Sequence, residues 1–251
     1  MGKIALITGG SRGLGKSMAL HLADKGRDII LTYHSKRDEA EEVVKVIAAK
    51  GQKAVALQLD ISQSETFAGF AGAVRSALQQ HWDRSDFDFL VNNAGMGVHK
   101  PFMETSEDEF NLMMNVHLKG PFFLSQQLLP MLKDGGRVLN ITSGLTRFTS
   151  PGYAAYATMK TGLEGLSRYM AKELGPRGIS VNAFAPGAIE TDFGGGLVRD
   201  NKEINAYLAA NAALGRVGLP DDIGGAVAAL LDDNAHWMTG QRIEASGGEF
   251  M

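Results

Sequence analysis

The chain has 251 residues, 44% of them hydrophobic and 21% charged, with a formal net charge of −3 and no cysteine. That length can bury one large core or two small ones, and the composition is that of an ordinary globular protein. No Lys/Arg-rich tract points to nucleic acid, and no apolar run approaches the roughly 20 residues of a membrane span. Disulfides and thiolate metal sites are excluded. The first residues run straight into a strand-like stretch too short for a signal peptide, and the lack of cysteine makes a cytoplasmic setting the expected one.

Taken in order, Lys3 to Thr8 is a continuous apolar run, which suits a strand buried on both faces. It leads into Thr8-Gly9-Gly10-Ser11-Arg12-Gly13-Leu14-Gly15, and then into helical spacing that Gly26 stops. Strand, glycine-rich turn and helix in this order form a cradle for a pyrophosphate. The glycines allow a close approach, and the helix start offers free N–H groups. A second strand is expected at Asp28–Tyr33. Where a dinucleotide fold that selects NAD carries an acid, this chain has Tyr33-His34-Ser35-Lys36-Arg37. Ser35, Lys36 and Arg37, with Arg12 from the glycine turn, suit a 2′-phosphate; the plain alternative is a solvated loop opening a helix over 38–49.

A third strand is expected over Lys53–Asp60. Asp60 either accepts from an adenine amino group or caps the next helix through Ser62. A helix over 65–81 leads to a strand at Phe87–Val91, followed by Asn92-Asn93-Ala94-Gly95, where small residues let a flat cofactor lie against the backbone. Asn92 has a structural alternative, tying neighbouring strands. His99 and Lys100 are either substrate-side groups or simply solvated. Ser106-Glu107-Asp108-Glu109 reads as a capping box opening one long helix to about Leu132. Asn115 falls in its middle, where an asparagine needs a reason: it holds a water near a site or satisfies a kink.

Arg137–Thr142 reads as a buried strand ending at Ser143. Tyr156 and Lys160 then stand four positions apart, just inside a long helix, so both side chains lie on one face. An ammonium beside a phenol favours the phenolate and lowers its pKa, which makes an acid/base unit, and Ser143 could hold a carbonyl oxygen facing it. The commonplace reading of such a pair is a half-buried tyrosine beside a solvated lysine. A sixth strand over 179–185 leads to Pro186-Gly187. Residues 192–215, glycine-rich and then helical, are the candidate lid. A helix from Pro220 and a strand over 240–245 complete the pattern. Strands alternating with helices predict an α/β fold: a doubly wound parallel sheet in a single domain spanning 1–251, with ligands at the carboxyl ends of the strands.

These stretches together resemble the short-chain dehydrogenase/reductase family over nearly the whole chain. The resemblance rests on Thr8-Gly-Gly-Ser-Arg-Gly-Leu-Gly15, Asp60, Asn92-Asn-Ala-Gly95, Asn115, Ser143, Tyr156-x-x-x-Lys160 and Pro186-Gly187-x-x-x-Thr191. It looks most like the subgroup of 3-oxoacyl-carrier-protein reductases and related NADPH carbonyl reductases. One departure is Ala245-Ser246-Gly247-Gly248, where many relatives have Val-Asp-Gly-Gly. The resemblance implies a seven-stranded Rossmann sheet with helices on both faces and a homotetramer. It implies a catalytic set of Asn115, Ser143, Tyr156 and Lys160, with Asn115 holding a water that links Lys160 to solvent. It implies NADP(H) contacts from Gly9, Ser11, Arg12, Gly13, Leu14, Gly15, Ser35, Lys36, Arg37, Asp60, Ile61, Asn92, Ala94, Gly95, Tyr156, Lys160, Pro186, Gly187, Ile189 and Thr191. The substrate pocket is expected from Met96, Leu145, Thr146, Phe148 and Tyr153, with Arg147 beside them. The expected reaction is reduction of a carbonyl, a ketone or 3-oxoacyl-type group, with Tyr156 as general acid. The main alternative is an NAD(P)-dependent alcohol, sugar or steroid dehydrogenase working oxidatively. A non-catalytic NADP sensor has no need of Tyr156 and Lys160 together, and extended epimerases need a larger C-terminal substrate domain. No metal, nucleic-acid or membrane partner is expected.

Overall fold

Alternate residues of a strand face opposite ways, and the apolar runs use both faces. In the computed structural model, which describes residues 2–251, they form β1 (Ile4–Ile7), β2 (Asp28–Tyr33), β3 (Ala54–Gln58), β4 (Phe87–Asn92), β5 (Leu132–Ile141), β6 (Ser180–Pro186) and β7 (Arg242–Ala245). These make one seven-stranded sheet in the order β3-β2-β1-β4-β5-β6-β7, every pairing parallel. The winding direction reverses between β1 and β4, which opens a crevice at the carboxyl ends of those strands. The helices are α1 (Gly13–Asp24), α2 (Arg37–Ala49), α3 (Phe67–Trp82), α4 (Glu107–Met114), α5 (Gly120–Leu128), α6 (Ala154–Leu174), α7 (Leu197–Asp200), α8 (Lys202–Ala210) and α9 (Pro220–Leu230).

One core layer joins Ile4, Leu6, Ile30, Leu90, Val138 and Val181 to α3, α5 and α6. The other joins Ala5, Ile7, Leu31, Val91, Leu139 and Phe184 to α1, α2 and α9. Burial on both faces is why these strands show no polar alternation.

The capping box forms as expected: Ser106 Oγ accepts from the Glu109 N–H at 3.2 Å, and the Glu109 carboxylate accepts from the Ser106 N–H at 3.0 Å. The helix it opens is not continuous to Leu132. After α4, Asn115–Lys119 form a π turn, α5 follows, Leu129–Met131 is a 3₁₀ turn, and Leu132 already belongs to β5. Pro121 has no N–H to close an α-helical bond back to His117, and Pro130 stops α5. Gly120 lets this turn press onto the loop after β3, since a Cβ there would lie 2.5 Å from the Ile61 carbonyl oxygen. Regular β5 pairing begins only at Arg137, after an irregular stretch. Among the described residues no helix is long and apolar enough to cross a membrane, and no cluster of three or more metal-type ligands occurs.

Candidate active site

The turn after β1 is clamped to the end of β4. Thr8 Oγ1 accepts from the Asn93 and Ala94 N–H groups, both at 2.9 Å, and Asn93 Nδ2 donates to the Thr8 carbonyl at 2.9 Å and the Gly9 carbonyl at 3.2 Å. Gly9 adopts φ 68°, and a Cβ on Gly15 would sit 2.1 Å from the Gly9 oxygen. Only glycine fits that contact. Arg12 occupies the N-cap of α1 without a side-chain cap bond. With no side chain serving them, the first N–H groups of α1 can receive an anion, beside Ser11, Gly13 and Leu14. The loop after β6 faces this cradle: the Thr191 methyl lies 3.8 Å from where a Gly13 Cβ would stand. Ile189 bridges to Gly218 behind it.

At the end of β2, His34, Ser35, Lys36 and Arg37 are all exposed. Arg37 pairs along its own helix with Glu41 at 3.6 Å, while Arg12 lies 3.8 Å from Asp192 on the far side of the crevice. Asp60 Oδ1 accepts from the Ser62 N–H and hydroxyl at 2.9 and 2.7 Å, and Oδ2 lies 3.4 Å from His34 Nε2. Burial alone would raise the Asp60 pKa, but the Ser62 hydrogen bonds outweigh it and hold the carboxyl below its usual range. Ile61, next to it, is buried under α5. Asn92 points inward: its Nδ2 donates to Asn140 Oδ1 at 2.8 Å and Ser125 Oγ at 3.1 Å, tying β4 to β5 and α5. The backbone of Asn93, Ala94 and Gly95 is what the crevice presents.

Ser143 leaves β5 in extended conformation, its Oγ accepting from the Leu145 N–H at 3.2 Å. Tyr156 and Lys160, on the first turns of α6, are 7% and 4% exposed. Lys160 Nζ donates to the Ile141 carbonyl at 2.7 Å and stands 5.7 Å from the centre of the Tyr156 ring. The expected lowering of the phenol pKa does not occur in this arrangement. Burial pushes the Tyr156 pKa up, with the Ser143 side chain as the opposing influence. Burial also pulls Lys160 down to about 7. Desolvation thus disfavours both charges before anything fills the crevice.

Asn115 opens the π turn that packs against α6. It is half-buried at the start of the π turn, and its side chain makes no hydrogen bond among the described residues. His117, from the same turn, is 1% exposed, with its ring edge-on to Tyr156 at 4.9 Å between centres. The signal available in the sequence was a lone histidine inside an apolar stretch.

Around the phenol, Leu145, Tyr153 and Met159 pack with Tyr156 and Met113. Met96 is 39% exposed and uses its carbonyl to accept from His117 Nε2 at 2.7 Å. Phe148 packs on Gly144 and lies 4.9 Å from the Phe250 ring. Thr146 turns away, its hydroxyl 2.6 Å from Glu164 Oε1 and 2.8 Å from the Ser143 carbonyl. Arg147 is held by Glu244 and by the carbonyls of Glu249 and Phe250. The wall expected from these two residues is therefore spent on the β7 edge and the C-terminal segment. In their place stands Phe193, 5.5 Å from Tyr156, which leads into Gly194, Gly195 and Gly196, all in left-handed backbone. Glu249 is buried and accepts from the Ala188 N–H at 2.9 Å, fastening the C-terminal segment beside Gly187.

A family model described as Enoyl-(Acyl carrier protein) reductase matches residues 9–249. An uncharacterized oxidoreductase of Methylorubrum extorquens is 38% identical over 247 residues, covering 98% of this chain and 97% of its own. The 3-oxoacyl-[acyl-carrier-protein] reductase FabG of Staphylococcus epidermidis is 36% identical over 253 residues, covering all of both chains. The crystal structure of the angucycline C-6 ketoreductase LanV with bound NADP superposes with a TM-score of 0.94 at 34% identity, covering 99% of this chain and 95% of its own. With the parallel sheet, the clamped glycine turn and the Ser143–Tyr156–Lys160 group in place, the chain belongs to the short-chain dehydrogenase/reductase family of oxidoreductases.

Proposed function

We propose that this enzyme is an NADPH-dependent carbonyl reductase that converts a ketone or 3-oxoacyl-type substrate to a secondary alcohol, with Tyr156 as general acid. The observation that carries the reading is the buried phenol of Tyr156, with Ser143 as the influence that opposes burial and Lys160 Nζ 5.7 Å from its ring centre. An acid must be protonated to donate, and burial keeps this phenol loaded at neutral pH. Ser143 Oγ holds the carbonyl oxygen as negative charge grows on it, and the Tyr156 proton passes to that oxygen. The phenolate left behind is stabilised by the Lys160 ammonium, and electrostatic attraction across so dry a site is strong. NADPH, when bound, supplies the hydride.

The residues present suit NADPH. The uncapped start of α1 and the glycine turn receive the pyrophosphate, with Ser11, Gly13, Leu14 and Gly15 around it. Arg12, Ser35, Lys36 and Arg37 form the 2′-phosphate site, with no carboxylate at the end of β2 to repel it. Asp60 and Ile61 lie toward the adenine. Ala94 and Gly95 with Pro186, Gly187, Ile189 and Thr191 line the nicotinamide half, where Lys160 holds the ribose. The ketoreductase LanV was solved with NADP, which supports the assignment. Met96, Leu145, Phe148 and Tyr153 line the substrate side, and residues 192–215 form the lid of a single domain. Within this reading the enzyme works in the cytoplasm as a homotetramer.

A screen with NADPH against ketones, 3-oxoacyl thioesters, quinones and 2-enoyl thioesters tests the proposal, with NADP⁺ and secondary alcohols run in parallel. Carbonyl reduction with NADPH, at a kcat/KM well above that with NADH, is the expected result. Turnover of enoyl thioesters alone would make it an olefin reductase, and equal use of NADH would remove the phosphate site.

A further inference from the structure

We propose that His117 is a positioning residue for the Tyr156–Lys160 pair, and that its Nδ1 accepts from a buried water shared with the Lys160 ammonium. The inference rests on the reading of Tyr156 as the acid.

The hydrogen bonds leave two groups short of partners in one enclosure. His117 Nε2 faces the Met96 carbonyl at 2.7 Å. A carbonyl only accepts, so Nε2 carries the proton and Nδ1 is left as a lone-pair acceptor. That Nδ1 is buried and has no partner. On the other side, the Lys160 ammonium has three donors, and only the bond to the Ile141 carbonyl engages one. Tyr156 joins them: its ring meets the His117 ring edge-on at 4.9 Å and the Lys160 ammonium at 5.7 Å from its centre.

No direct hydrogen bond links His117 to Lys160, yet they are near enough that the Lys160 charge adds to burial in keeping the imidazole neutral. An unpaired acceptor on one side and spare donors on the other are what a single buried water satisfies, accepting from Lys160 and donating to Nδ1. Pro121 supports this placement by removing one N–H donor from the same turn, which widens to a π turn and turns the imidazole inward. The bridge fixes where the ammonium sits beneath the phenol.

Two variants separate this role from packing. His117→Phe keeps a ring edge-on to Tyr156 and removes the acceptor; His117→Asn gives up the ring and keeps an acceptor. The expected result is a fall in kcat of about tenfold for His117→Phe, which loses the neutral hydrogen bond from the bridging water. KM and the NADPH dissociation constant should stay put, and His117→Asn should stay near the wild-type kcat. The reverse order, with Phe active and Asn impaired, would show that the ring only packs. A ¹⁵N NMR spectrum of the histidine-labelled, cofactor-free wild type at neutral pH is independent of turnover. It should show the Nε2–H tautomer with Nδ1 shifted by an accepted hydrogen bond. A proton on Nδ1, or a free Nδ1, overturns the proposal. Tyr156→Phe in the same assays isolates the underlying reading: if it stays active the acid assignment falls, and if it is dead while both His117 variants behave like wild type, only the bridge falls.

Discussion

Burial sets the protonation of Tyr156 and Lys160 in the folded chain. Lys160 titrates near 7 because its ammonium is desolvated, against about 10.4 for a free lysine. Between those values the unfolded chain binds the proton and the folded chain does not, so this group makes stability rise with pH. The destabilisation is fully present below pH 7 and fades toward pH 10. Lys160→Met fills the same space without a charge. It should be more stable than the wild type at pH 6.5, with the difference in Tm narrowing steadily by pH 9.5. A pH-independent difference would mean that Lys160 is not depressed. At this scale Ser143, Tyr156 and Lys160 could be read from the sequence because each depends only on local geometry: the end of an apolar run, or a four-residue helical spacing. The depressed charges could not, since they depend on what the rest of the chain buries around them.

Among the elements, the helix from Ser106 shows where periodicity fails. Its capping box is a local rule and formed, but its continuity depended on Pro121 and on the contact of Gly120 with Ile61. A turn closed at i→i+5 carries an extra residue, so every face assigned from a 3.6-residue period slips beyond it. That slip carries His117, two residues into the turn, against Tyr156. Thr146 and Arg147 missed the pocket for a related reason, since their partners Glu164 and Glu244 come from distant elements. Glycines test the element scale directly. Gly15→Ala forces a Cβ to 2.1 Å from the Gly9 oxygen, and overpacking of this kind costs about 1–3 kcal/mol. It should lower Tm and weaken NADPH binding measured by cofactor fluorescence. Gly69 and Gly72 on α3 are exposed with open space around them, so alanine at each should stabilise by about 0.5–1 kcal/mol and leave binding alone. Unchanged NADPH binding in Gly15→Ala would remove the glycine turn from the cofactor site.

For the whole molecule, the strand–helix alternation gave the sheet because parallel strands need crossovers and both faces must be covered. The surface is less legible in the sequence. Along α5 and α6, Leu128 and Met170 are buried in the core, while Phe122 and Phe123 are 39% and 42% exposed. Phe102, Met103 and Tyr169 add 78%, 89% and 72% exposure. Large apolar side chains left in water are the kind of surface that a second copy covers. Light scattering at micromolar concentration should give the mass of a tetramer, and a stable monomer would rule out that assembly.

The central claim is that Tyr156 supplies the proton, and Tyr156→Phe tests it most directly. The ring still packs against His117, Phe193 and Lys160, so the fold and the NADPH dissociation constant should be preserved. Losing the general acid should lower kcat by about 10²–10⁴-fold. A Tyr156→Phe enzyme that binds NADPH normally and keeps more than about a tenth of the wild-type kcat would contradict the account.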